Sequence, residues 1–207
     1  MPWDPIGRLY PIVDRDVCHS RGLDPVSVAA ACAGAGTPWL QFRFKTAASA
    51  ALLATAEAVV ASAWEGAARV IVNDRADIAR LAGAGGVHVG QEDLPPALVR
   101  RVFPAAVIGL STHDERQVDK ALASEADYVA VGPIYETETK NTGYRARGLS
   151  LIRYAAGRGK PIVAIGGLTL ATAPRAIDAG AAAVAVITDL LVGSTHERVL
   201  AYLRALA

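Results

Sequence analysis

The feature that most constrains this chain is an alternation. Eight short apolar or alternating runs recur at 9–13, 39–45, 70–73, 86–89, 107–110, 128–131, 162–165 and 183–187, with segments rich in Ala and Leu between them. The runs are rich in Val and Ile and have strand length, whereas segments such as 47–63 and 114–123 suit helices. Repeated strand-then-helix units predict a parallel sheet, because a parallel neighbour is reached only through a crossover. Boundary signals agree: Asp24 precedes Pro25, Asp77 opens the segment after the third run, and Gly36, Gly157 and Gly180 close helical segments.

An open doubly wound sheet and a closed eight-stranded barrel both satisfy this pattern. Eight units in 207 residues come close to the lower size limit of the barrel. The placement of polar residues separates the two. They follow most of the runs: Arg43 and Lys45, Asn73 and Asp74, Gln91 and Asp93, Ser111, Thr137, Thr139 and Lys140, Gly166 and Gly167, Thr188. An open sheet gathers its site at one switch point, whereas a barrel brings every strand end to one mouth. The expectation is an α/β protein, a single (β/α)8 TIM barrel domain over 1–207.

Composition narrows the function. At 52% hydrophobic and 20% charged residues the chain can bury a substantial core. A net charge of +1 gives no reason to expect nucleic acid or an anionic membrane as partner, so any basic site must be local. The apolar runs are too short to span a bilayer, and the first ten residues lack a signal-peptide pattern. Two cysteines give no disulfide framework, which suits a reducing cytoplasm. Cys18 adjoins His19, but no further thiol completes a metal set; Cys32 lies among alanines and is expected to face the core.

Three local patterns point to phosphate chemistry. In the run at 128–140 a strand-like stretch ends at Gly132 and Pro133 and leads to Thr137, Thr139 and Lys140, whose hydroxyls and ammonium suit phosphate oxygens. In the run at 39–45 the period is two, with Gln41, Arg43 and Lys45 on one side and Leu40, Phe42 and Phe44 on the other. Helices cover the outside of a barrel, so the two cations must lie near the mouth and meet an anion such as pyrophosphate there. Asp74 and Asp93 end neighbouring strands about 5 Å apart, where two carboxylates repel unless a cation joins them. Mg²⁺ fits, since it takes one or two carboxylates together with phosphate oxygens. The competing reading pairs Asp74 with Arg75 and uses Asp93 to cap the helix beginning at Pro95.

The ordered set QFRFK, NDR, GVHVGQEDLP, GLSTHD, GPIYETETK, AIGGL and AVITD resembles the thiamin phosphate synthase family over nearly the whole chain. That resemblance implies a compact (β/α)8 barrel, often a homodimer. It implies a transferase of thiamine biosynthesis joining hydroxymethylpyrimidine pyrophosphate to hydroxyethylthiazole phosphate, or its carboxylated form, with release of pyrophosphate. It also implies residue roles. Gln41, Arg43, Lys45 and Asn73 would contact the pyrimidine pyrophosphate, Lys140 the leaving group, and Ser111 the pyrimidine, with Lys140, Ser111 and Arg43 as the catalytic set. Asp74 and Asp93 would hold Mg²⁺. Thr137, Thr139, Gly167 and the amides of Ile187 and Thr188 would receive the thiazole phosphate.

Three positions depart from the pattern: Phe44 stands where an acid is usual, Gly85 where Asp is frequent, and Thr188 where serine is common. Gly85 is expected to loosen a loop. A glutamate at 44 is expected to be buried without a partner. Two other functions stay open at this level: a thiazole tautomerase-like isomerase, for which His113 would be the candidate histidine, and a non-catalytic regulator that binds thiazole phosphate.

Overall fold

The computed structural model describes residues 7–46, 48–137 and 144–207. Its elements run β1 Leu9–Asp14, α1 Arg15–Ser20, α2 Pro25–Gly34, β2 Trp39–Arg43, α3 Ser49–Glu65, β3 Arg69–Asn73, α4 Ala76–Leu81, β4 Gly86–Val89 and α5 Pro96–Val102. They continue with β5 Val107–Thr112, α6 Glu115–Leu122, β6 Tyr128–Val131, α7 Ser150–Ala155, β7 Ile162–Ile165, α8 Ala173–Asp178, β8 Ala183–Val186, a 3-10 turn Thr188–Leu191 and α9 Thr195–Ala205. Each strand pairs in parallel with the next, and β8 pairs with β1 to close the barrel. The (β/α)8 expectation holds. Among the described residues, no helix is long and apolar enough to cross a membrane.

Strand ends follow from what their neighbours can offer. β2 stops at Arg43, short of the expected Lys45, because its last partner is Asp14, the final residue of β1. The Asp14 carboxylate turns away to cap α1, accepting from the amides of Asp16 and Val17 at 3.0 and 3.1 Å. Asp24 caps α2 and Asp114 caps α6 in the same way. Asp77 does not open its helix: α4 begins at Ala76, and Asp77 sits in the first turn held by Arg75 at 2.8 and 2.6 Å.

Alternation divides the apolar side chains into two layers. Leu40, Phe42, Val72, Val87, Ile108 and Val129 face outward and pack with Leu52, Val59, Ile78, Val99 and Val118 of the helices. Each such fully buried side chain contributes roughly 1.5–3 kcal/mol. The barrel interior holds a much smaller set, including Tyr10, Ile12, Trp39, Ile71, Tyr128 and Val163. Phe44 packs against the outer layer, as the alternation requires. The Arg15 guanidinium lies 4.6 Å from its ring centroid, so this position does have a cationic neighbour, contrary to the sequence expectation. Gly85 precedes β4 at the end of the barrel opposite the mouth. A Cβ there would come within 3.3 Å of Trp39 Cζ3 and 3.4 Å of Arg69 Cβ, so the glycine seats these two side chains rather than loosening a site loop.

Candidate active site

Three groups of residues meet at the C-terminal mouth. The first lies over β2 to β4. Lys45 Nζ stands 3.2 Å from Asp74 Oδ2, and the Asp93 carboxylate lies within hydrogen-bonding reach of Asp74. Burial, then the Asp93 charge, hold the Asp74 carboxyl above its usual range, and Lys45 offsets this only in part. Asp74 adopts a positive φ of 64°, a region that aspartate enters more readily than most residues. Its amide donates to the His88 carbonyl at 2.7 Å, which fixes the turn. Asp93 accepts from the Gly90 amide at 2.7 Å. Neither competing role is found: Arg75 pairs with Asp77 rather than Asp74, and Pro95 at the start of α5 has no side-chain cap. Two carboxylates crowded together beside one lysine form a donor set suited to a small divalent cation. Arg43, expected to meet a ligand anion, already has an internal one: it pairs with its cross-strand neighbour, the buried Asp14.

The second group is a chain of buried polar side chains forming the floor of the mouth. Gln41 Nε2 donates to Tyr10 Oη at 3.4 Å, the Tyr10 and Tyr128 hydroxyls are 3.0 Å apart, and Tyr128 Oη is 2.9 Å from His88 Nδ1. His88 Nε2 is 2.8 Å from Ser111 Oγ. Burial raises both phenols well above their ordinary pKa, so each keeps its one hydrogen. Gln41 donates into one end of this chain, and His88 joins the other end to Ser111 at the mouth. Gly109, the cross-strand neighbour of both His88 and Tyr128, makes room for this contact. A Cβ there would lie 2.1 Å from Tyr128 Cζ and 2.4 Å from His88 Nδ1. Gln91 closes the rim by donating to the Ser111 carbonyl at 2.6 Å.

The third group lines a cavity of about 520 Å³ over β6 to β8. Its wall includes Arg21, Ser111, His113, Thr137, Gly166, Gly167, Ile187 and Thr188. Gly167 has φ +65°, and a Cβ on it would meet the Glu136 carbonyl at 2.5 Å, so only glycine allows the β7 turn to lie this close to the β6 loop. Thr188 begins the 3-10 turn. Asp189, also in the wall, is paired with Arg198 at 2.8 Å and with the Tyr202 hydroxyl. His113 Nδ1 donates to the Gly132 carbonyl at 2.6 Å, and its ring stacks on Tyr144 at 4.2 Å, which holds the imidazole against the cavity wall.

A mouth with carboxylates on one side and a glycine-lined cavity after β7 and β8 on the other invites comparison with known barrels. Residues 9–190 match the thiamine monophosphate synthase family. Over 202 residues the chain is 40% identical to the thiamine-phosphate synthase of Anaeromyxobacter dehalogenans, covering 97% of this chain and 87% of that one. It is 38% identical over 201 residues to the thiamine-phosphate synthase of Thermus thermophilus, covering 96% of each. The chain belongs to the thiamine monophosphate synthase family. Its fold is shared with the solved thiamine phosphate pyrophosphorylase of Pyrococcus furiosus, at a TM-score of 0.88 and 24% identity, over 98% of this chain and 96% of that one.

Membership of the thiamine monophosphate synthase family makes this chain an enzyme, and the structure locates most of the expected residues. Lys45, Asp74 and Asp93 come together over β2 to β4. Ser111, Thr137, Gly167, Ile187 and Thr188 share one cavity. Gln41 lies below them in the floor, 3% exposed, and Asn73 is the cross-strand neighbour of His88. Thr139 and Lys140 lie outside the described residues. Sequence reading missed Tyr10, His88 and Tyr128, which it counted as ordinary members of apolar runs. A signal was present: in each run the polar residue occupies the inward phase, with mid-strand Gly109 opposite. Cys18 and Cys32 are buried in the outer layer, and burial pushes their thiols up to about 11 and about 12, which suits packing rather than nucleophilic chemistry.

Proposed function

We propose that this enzyme condenses hydroxymethylpyrimidine pyrophosphate with hydroxyethylthiazole phosphate, or with its carboxylated form and loss of CO2, to give thiamin phosphate and pyrophosphate. The observation that carries the reading is one mouth with a carboxylate–lysine cluster on one side, a glycine-lined cavity on the other, and Ser111 in the cavity wall. Lys45, Asp74 and Asp93 lie on one side, and the seat of Gly167, Ile187 and Thr188 lies on the other.

Asp74 and Asp93 would hold Mg²⁺, and the crowding of their carboxylates supports that assignment. When bound, the ion supplies positive charge to the departing pyrophosphate. Lys45 adds charge on the same side, and Lys140 is assigned to the leaving group from its sequence motif. Arg43 is partly neutralised by Asp14, so its contribution is to anchor position as well as charge. The aminopyrimidine is electron-rich and can carry the positive charge left when the C–O bond breaks. The thiazole nitrogen then forms the new C–N bond, and no strong base is required. Ser111, held from behind by His88, hydrogen-bonds the pyrimidine or a leaving oxygen. The phosphate seat orients the thiazole by its far end, which turns the encounter into an effectively unimolecular step.

The test is an assay of purified protein with both substrates, with and without Mg²⁺. Mg²⁺-dependent, stoichiometric release of pyrophosphate and thiamin phosphate supports the reading. Isomerisation of the thiazole alone would assign the barrel to the tautomerase reaction, and binding without turnover would make it a regulator.

A further inference from the structure

The thiazole phosphate seat contains a residue that the family motifs do not assign. Glycine amides supply hydrogen bonds to a phosphomonoester but no full charge, and a dianion enclosed beside carboxylates needs a cation. The described wall of the cavity carries Glu136 and Asp189, and Asp189 is already matched by Arg198. Arg21, just beyond α1, is the one arginine or lysine among the described wall residues. Its Nη1 donates to the carbonyls of Thr188 at 3.0 Å and Leu191 at 3.2 Å. These bonds pin the guanidinium to the same 3-10 turn whose first amides are assigned to the phosphate. Nε and Nη2 remain on a planar fork suited to phosphate oxygens.

We propose that Arg21 is the cation of the phosphomonoester subsite and sets its preference for phosphorylated over unphosphorylated thiazole. This rests on the reaction proposed above. The discriminating variant is Arg21→Gln, whose amide can still donate to the Thr188 and Leu191 carbonyls while the charge is gone. Arg21→Lys restores the charge without the fork. Dissociation constants for hydroxyethylthiazole phosphate and unphosphorylated hydroxyethylthiazole would be measured by calorimetry, and Michaelis constants for both substrates by the two-substrate assay described above. Loss of one charge-assisted bond predicts that Arg21→Gln weakens binding of the phosphate ester by about 10- to 100-fold. Binding of the unphosphorylated thiazole and the Michaelis constant for the pyrimidine pyrophosphate should stay within about twofold, and Arg21→Lys should recover part of the loss. Equal weakening of both thiazoles, or no weakening of either, would overturn the proposal. The calorimetric ratio is independent of turnover, so a wild-type protein that binds the ester without forming thiamin phosphate would refute the reaction while the Arg21 test still decided the subsite.

Discussion

Gly109→Ala places one methyl group where the floor of the mouth has no room for it. The new Cβ would stand 2.1 Å from Tyr128 Cζ, 2.3 Å from its hydroxyl and 2.4 Å from His88 Nδ1. Both side chains are buried, at 0% and 6% exposure, and Tyr128 touches Tyr10 on its other flank, so neither can step aside alone. Overpacking of this kind costs about 1–3 kcal/mol. Parting His88 from Tyr128 leaves buried polar atoms unsatisfied, for about 1–3 kcal/mol more. A total near 4 kcal/mol is a large share of the roughly 5–15 kcal/mol that hold a domain folded. At a urea slope of about 2 kcal/mol per molar, the unfolding midpoint should drop by about 2 M. Gly34→Ala is the matched control. That glycine is exposed at the end of α2 with no atom within 4 Å of its added Cβ, so the same substitution should stabilise by up to about 1 kcal/mol. Urea titrations of both variants, followed by circular dichroism, make the comparison. If Gly109→Ala unfolds within about 0.5 kcal/mol of wild type, the close His88–Tyr128 contact is wrong.

Asp74→Asn should leave the melting temperature in Mg²⁺-free buffer unchanged or higher, because it removes a carboxylate held above its ordinary pKa by burial and by Asp93, while the partly exposed Lys45 pair it sacrifices is worth only about 0–1 kcal/mol. Its turnover should nonetheless fall by about 100-fold or more, and a lower melting temperature would show that Asp74 is structural. Phe44→Glu should be no less stable by thermal melt than Phe44→Gln, since both lose the packing of the ring and Arg15, which lies over that position, can pair with the acid; a Glu variant lower by several kcal/mol would mean that Arg15 cannot reach it. Native protein should not react with Ellman's reagent at pH 8, and urea should release both thiols. Because the folded thiols titrate near 11 and 12, above the ordinary 9.0, the unfolded chain loses these protons first, so stability should fall as pH rises from 9 towards 11; a rise over that range in urea titrations would contradict the burial of Cys18 and Cys32.

The strands were legible because their period and spacing depend on local chemistry alone. Val72, Val87 and Ile108 announce outward faces, and Lys45, Asp74 and Asp93 announce the mouth by following strand ends. What could not be read was pairing across strands. Arg43 looked like a free ligand cation because nothing in the run at 39–45 discloses that Asp14, twenty-nine positions earlier, becomes its cross-strand neighbour. Phe44 looked partnerless for the same reason, since Arg15 belongs to a different element. Tyr10, His88 and Tyr128 each sit alone in an apolar stretch, and only closure of the barrel joins them into one chain. Arg21 lies 167 positions from the carbonyl of Thr188 that it binds. Local pattern thus yields which elements form and which residues crowd the rim, whereas the counter-ion of each rim charge is a property of the closed ring.

The separation of the two apolar layers has a consequence for how such a molecule can change. Cohesion resides chiefly between strand backs and helices, where Phe42, Ile108 and Val118 lie, and the residues of the mouth follow the C-terminal ends of the same strands. A substitution at Lys45, Thr137 or Thr188 therefore touches little of what keeps the chain folded. Selection for a different phosphorylated substrate could exchange rim residues one at a time, each intermediate remaining a well-folded protein. The floor residues Tyr10, His88 and Tyr128 lack that liberty, because each is both buried and hydrogen-bonded to the next, and they would have to change together.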